Sequence, residues 1–270
     1  MRDPVKWIVA VLVLIGVALI IYFQWFRQEP EPQPQAPASA DIKPLPDTGP
    51  PPEKKLEPKI QHPIAEPAET KPLPVLDSSD AAMKETLTGL FGQKTLVDFF
   101  YLDRIIRRIV ATVDNLPRPK VSQRLIPLKP VPGIFLVTEK DDTFVIDPTN
   151  YSRYALYVRV AETVSIKKLV AAYIHFYPLF QQAYKELGYP TGYFNDRLVE
   201  VIDHMLAAPQ VEGPVKLTLP SVMYHFADPG LESLSAGHKI MLRMGSANAT
   251  RIKTRLRELR QEVAGRELKP

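Results

Sequence analysis

Trp7 to Phe26 is a run of twenty residues without a charge, opening just after Lys6. At 1.5 Å rise per residue such a run covers the roughly 30 Å hydrocarbon core of a bilayer. The spacing therefore predicts a transmembrane helix. A cleaved secretory signal has a shorter apolar core, of roughly 7–15 residues, with a small-x-small site close behind it. Here the run ends in Tyr22, Phe23, Gln24, Trp25 and Phe26, and the nearest Ala-x-Ala, Ala38-Ser39-Ala40, stands far downstream among prolines. Trp7 at one end, with Tyr22 and Trp25 at the other, match the aromatics that favour headgroup boundaries. Arg2, Lys6 and the terminal amine precede the run, whereas Arg27 is followed by no further Lys or Arg until Lys43. The excess of positive charge before the helix predicts a short cytoplasmic tip, with everything after Arg27 across the membrane.

Gln28 to Pro74 holds half of the chain's 28 prolines. Proline has no amide donor and a fixed φ, so such a segment is expected to form neither helix nor sheet and to populate extended polyproline conformations. Fully extended it would reach on the order of 140 Å. This divides the chain into residues 1–27, a cytoplasmic tip and anchor; 28–74, a disordered spacer; and 75–270, a globular domain. Pro-x-x-Pro spacings leave a docking role for the spacer open. The chain has no cysteine, so an oxidising compartment would be managed without disulfides.

Within 75–270 the expected class is α+β, mostly α. Asp77 to Asp80 offer caps for a helix ending at Gly92, and Leu96, Phe99, Ile106, Ile109 and Val113 carry helical spacing onward from Thr95. Two apolar stretches, Ile134–Val137 and Phe144–Ile146, flank a polar turn and predict a hairpin. Ile166 to Leu187 shows the clearest helical stripe, with Pro178 off it as a kink or a break. A further helix runs from Phe194 to Pro209, short strands are expected at Val215–Leu219 and Val222–Phe226, and two helices, about 231–244 and 246–263, close the chain.

Three stretches carry a family resemblance: Ala111-Thr112-Val113-Asp114-Asn115-Leu116, Tyr177-Pro178-Leu179-Phe180-Gln181-Gln182-Ala183-Tyr184, and Gly192-Tyr193-Phe194-Asn195-Asp196-Arg197-Leu198 continuing to Asp203-His204. The chain resembles the bacterial family catalogued as domain of unknown function 3014. That resemblance implies one N-terminal membrane segment, a proline-rich linker and a Gram-negative inner membrane. It brings no catalytic residues with it.

No complete catalytic set is legible. Ser165-x-x-Lys168 matches the nucleophile motif of penicillin-recognising enzymes, but Ser-Asp-Asn and Lys-Thr-Gly are both missing, so Ser165 reads as a helix cap. Glu200 and His204 share a helix face, with Asp196 and Asp203 close by; such a set could hold a divalent metal or do acid–base work, against the plainer reading of a solvated polar face. His175 or His225 would have to join them through the fold. No metal or cofactor is expected. Tyr151, Tyr154 and Tyr157 read as core, whereas Tyr189 and Tyr193, beside a glycine-bounded turn, read as an exposed binding face. Arg118, Lys120 and Arg124, in a proline-rich loop without acids, extend that face. A periplasmic domain excludes nucleic acid as partner and leaves an envelope protein or peptidoglycan. The expectation is thus a membrane-anchored periplasmic binding or scaffolding protein; the alternative is an envelope hydrolase acting on peptidoglycan or a peptide.

Overall fold

The architecture follows from how the apolar faces of the predicted helices find one another. A computed structural model describes residues 60–64, 72–140 and 143–264. The Trp7–Phe26 run lies outside the described residues, and no helix among those described is long and apolar enough to cross a membrane. The elements are α1 (Asp80–Phe91), α2 (Gln93–Phe99), α3 (Ile105–Asn115), β1 (Val137–Lys140), β2 (Thr143–Ile146), α4 (Thr149–Thr163), α5 (Ile166–Glu186), α6 (Phe194–Leu206), β3 (Lys216–Thr218), β4 (His225–Phe226), α7 (Pro229–Glu232), α8 (Ala236–Arg243) and α9 (Ser246–Val263). Helix dominates and the strands are short, an α+β domain that is mostly α.

The single long helix expected from Thr95 to Val113 is in fact two. Phe100 leaves α2 in an extended conformation and pairs with Leu128, while Arg104 turns through φ 48°. The Asp80 carboxylate then accepts from the amides of Arg104 at 2.7 Å and Ile105 at 3.1 Å, starting α3. Asp80 thus caps a helix distant in sequence rather than its own. Pro178 neither ends nor divides α5, which is continuous from Ile166 to Glu186. It lies on the exposed face, where the carbonyl it leaves free can meet water. The closing helix expected at 231–244 is interrupted by Ser235, whose hydroxyl caps α8 through the His238 amide.

The strands form one antiparallel sheet in the order β1-β2-β3-β4, in register Val137↔Ile146, Phe144↔Leu217 and Leu217↔Phe226. Ile146, Val215, Leu217 and Phe226 bury its inner face against Leu242 of α8. The largest core joins α1, α2, α3, α5 and α6 through Met83, Leu96, Ile105, Ile106, Phe176, Phe180 and Phe194. Val199 and Ile202 of α6 meet Val170 and Val263, binding α6 to α5 and α9.

Residues 60–64, read from composition as spacer, bond to the domain, and Ile64 and Leu73 pack against its main core. The physical reason is local. Gln61-His62-Pro63-Ile64 keeps three amide donors around one proline, enough to hydrogen-bond to side chains of the domain through a bend at Gln61 and His62. Residues 28–59 and 65–71 lie outside the described residues.

Candidate functional site

The turn between α5 and α6 brings together all three stretches that carry the resemblance. Gln181 of α5 organises it. Its Nε2 donates to the Gly192 carbonyl at 2.7 Å, and its Oε1 accepts from the Phe194 amide at 2.9 Å. A side chain from the preceding helix therefore caps α6, where Tyr193 itself provides no side-chain cap. Gly192 is required by close approach: a Cβ there would stand 2.8 Å from the Tyr184 ring. Tyr189 folds back and stacks on Tyr184, with ring centroids 4.6 Å apart.

Beneath the turn, Asp114 at the end of α3 is 2% exposed and carries a buried network. It accepts from Arg118 Nη2 at 2.8 Å, Arg197 Nε at 3.1 Å and the Tyr189 hydroxyl at 3.2 Å. Arg197 Nη2 also reaches the Asp114 carbonyl at 2.9 Å, and its Nη1 pairs with Glu200 at 2.8 Å. Burial opposes the Arg197 charge, but Glu200 and Asp114 outweigh it and hold the guanidinium above its ordinary value. Burial pushes the Tyr184 phenol up to about 12.

Above the network, the first turn of α6 grips a segment of the same chain that bends at Gln61 and His62. Asp196 accepts from the amides of Gln61 at 3.0 Å and His62 at 2.7 Å, one on each carboxylate oxygen. Asn195 Nδ2 donates to the His62 carbonyl at 2.8 Å and also to Val263 O at 2.8 Å. The Ile64 amide donates to the Tyr193 hydroxyl at 2.9 Å, and His62 Nδ1 donates to Ala264 O at 3.2 Å. Asn195 is fully buried and is itself oriented by the Tyr173 hydroxyl, which donates to its Oδ1 at 3.1 Å. An opening of about 300 Å³ continues from Gln61 along Tyr184, Tyr193, Asp196, Arg197 and Glu200.

The sequence-derived candidates fare differently. Tyr189 and Tyr193 are not an exposed ring face: both are half-buried and pack on the main core. The turn is short and its glycine draws the rings inward, so only the hydroxyls serve the site. Arg118 belongs to the Asp114 network. Lys120 is exposed, and exposed Arg124 lines a separate opening with Arg104, Arg107 and Arg108, so the structure does not gather these cations with Tyr193. Glu200, Asp203 and His204 do not converge either. Glu200 pairs with Arg197, and Asp203 with Arg260 Nη2 at 2.9 Å.

His204 turns inward to α8. Its Nε2 lies 2.7 Å from Ser235 Oγ, and its ring stacks on His238 at 4.0 Å. His238 Nε2 donates to the His204 carbonyl at 2.6 Å. Burial, with His238 and Arg197 nearby, holds the His204 imidazole below its ordinary value. His225 faces Glu232 on the sheet, and His175 packs edge-on against Phe176. Among the described residues no group of three or more His, Asp or Glu is placed to hold a metal. Ser165 stands at the N-cap position of α5 without a side-chain cap bond, and Lys168 is exposed.

Sequence reasoning missed Asp114, Gln181, Asn195 and Asp196 as partners, although each lies inside a stretch that carried the resemblance. That shared membership was the available signal.

The class defined here is an α+β domain whose α5–α6 corner holds the short segment Gln61–Ile64 over an Asp114–Arg197 network. The family described as protein of unknown function, DUF3014, matches residues 105–260, and the chain belongs to it. No curated protein and no solved structure matches the chain.

Proposed function

We propose that this protein is a single-pass, membrane-anchored module of the periplasm that binds or scaffolds another component of the cell envelope, a protein or peptidoglycan. The anchor and orientation rest on the uncharged run Trp7–Phe26 and the basic residues before it. One observation carries the binding role: Tyr193, Asn195 and Asp196 capture the main chain of Gln61–Ile64 with side-chain hydrogen bonds. Recognition through main-chain hydrogen bonds recurs in peptide binding.

The hydrolase alternative is favoured by one contact, His204 Nε2 to Ser235 Oγ at 2.7 Å. That hydroxyl already accepts the His238 amide at 3.1 Å as the cap of α8, a structural duty.

Photocrosslinking in cells from Thr191, which is exposed beside the α5–α6 turn, tests the binding role. Capture of one envelope protein, lost on Asp196→Ala and retained on Ser235→Ala, is the expected result. Loss of cellular function on Ser235→Ala in a folded protein, with Asp196→Ala active, would favour the hydrolase. Alkaline phosphatase fused after Pro74 should be active, and inactivity there would place the domain in the cytoplasm.

A further inference from the structure

The contacts on Gln61–Ile64 define a pattern. Amides are read at the first, second and fourth positions, and the carbonyl at the second. The third position, Pro63, is the one residue of the four with no amide to satisfy. The fourth side chain, Ile64, packs against the main core. Every main-chain donor of the four-residue segment therefore has a partner at the start of α6, on Tyr193 or Asp196, while Ile60, Gln61 and Pro63 stay exposed.

Resting on the binding role above, we propose that Tyr193, Asn195 and Asp196 form a recognition groove for an x-x-Pro-aliphatic peptide that bends at its first two positions, as Gln61 and His62 do. Gln61–Ile64 is its resident occupant, and an envelope protein carrying such a segment binds by displacing it.

Two features point to exchange rather than permanent packing. The hold is made to the main chain, so another sequence with donors at the same positions meets the same acceptors. The groove also extends past its occupant: the opening beside Gln61 presents Tyr184, Arg197 and Glu200. A resident segment enjoys the high effective concentration of an intramolecular ligand, so a competitor needs further contacts. Arg197 and Glu200 offer them to a polar or charged residue preceding the x-x-Pro-aliphatic core. The segment lies between the proline-dense stretch and the domain, so displacement also frees residues 60–64 and lengthens the tether.

The first arm of the test leaves the groove residues unchanged. In the full-length chain, His62→Pro removes an amide that Asp196 reads and vacates the groove. A fluorescent peptide spanning residues 58–66 should bind this variant at least about tenfold more tightly than the wild type, because the intramolecular competitor is gone. The same peptide carrying His62→Pro should not bind, and Asp196→Ala in the protein should abolish binding. A peptide that binds neither protein, or both equally, overturns the proposal. So does a wild-type dimer that the peptide dissociates, since that assigns the groove to a second copy. If the peptide fails while Thr191 still captures its partner in cells, the binding role stands and only the groove assignment falls.

Discussion

The two ends of α6 are equally polar and do different things. At its N-terminus, Asn195 and Asp196 direct their side chains at a segment 130-odd residues away in sequence, and Arg197 backs them through Asp114. At its C-terminus, His204 directs its ring at Ser235 and stacks on His238, locking α8 to the same helix. Residue chemistry alone favours the histidine end as the site. Geometry reverses that ranking, because an inward-facing imidazole with its partners satisfied is a structural joint, whereas carboxylate and amide groups on the first turn remain able to receive a chain.

The largest expected effect separates the support from the joint. Asp114→Ala leaves the half-buried Arg197 guanidinium with only Glu200 and the residue-114 carbonyl, and should destabilise the domain by about 3 kcal/mol. A denaturant midpoint unchanged within error would show that Asp114 supports nothing. Asn195→Ala comes next. It strands the Val263 carbonyl and the Tyr173 hydroxyl as well as the His62 carbonyl, so a loss of about 2 kcal/mol is expected. A loss of a few tenths would mean that water replaces the amide at no cost.

The C-terminal joint is broken by acid. His204 is held below its ordinary value of 6.5, so the folded chain binds fewer protons than the unfolded one between the two values. Its contribution is fully present above 6.5 and declines as pH falls below it, toward the depressed folded value. The thermal midpoint should therefore drop as pH falls below 6.5, and His204→Gln should flatten that slope. An identical slope in the variant would place the titration elsewhere. Glu200, facing Arg197, softens the effect by favouring the charged imidazole.

Much of this was legible in the sequence. The α6 helix, the unbroken apolar face of α5 and the four short strands follow from periodicity and turn residues. The break at Phe100–Arg104 was not legible, because it depends on Asp80 arriving from α1 to cap α3. The site was half legible. The Gly192–Arg197 stretch stood out, but the tyrosines drew attention as exposed rings when the turn folds them inward. Asp196 was grouped with Glu200, Asp203 and His204, because its actual partners are main-chain amides, which no side-chain pattern announces. Those amides lie in a segment whose average composition says spacer, while four consecutive residues suffice to make a ligand.

The central claim is that the first turn of α6 holds the main chain of residues 61–64, and native-state hydrogen exchange on the full-length protein tests it most directly. The amides of Gln61, His62 and Ile64 should exchange well below the rate of an unstructured peptide. Asp196→Ala should release Gln61 and His62 while changing the global stability by no more than about 1 kcal/mol. Exchange of all three amides at the unstructured rate in the wild-type protein would contradict the account.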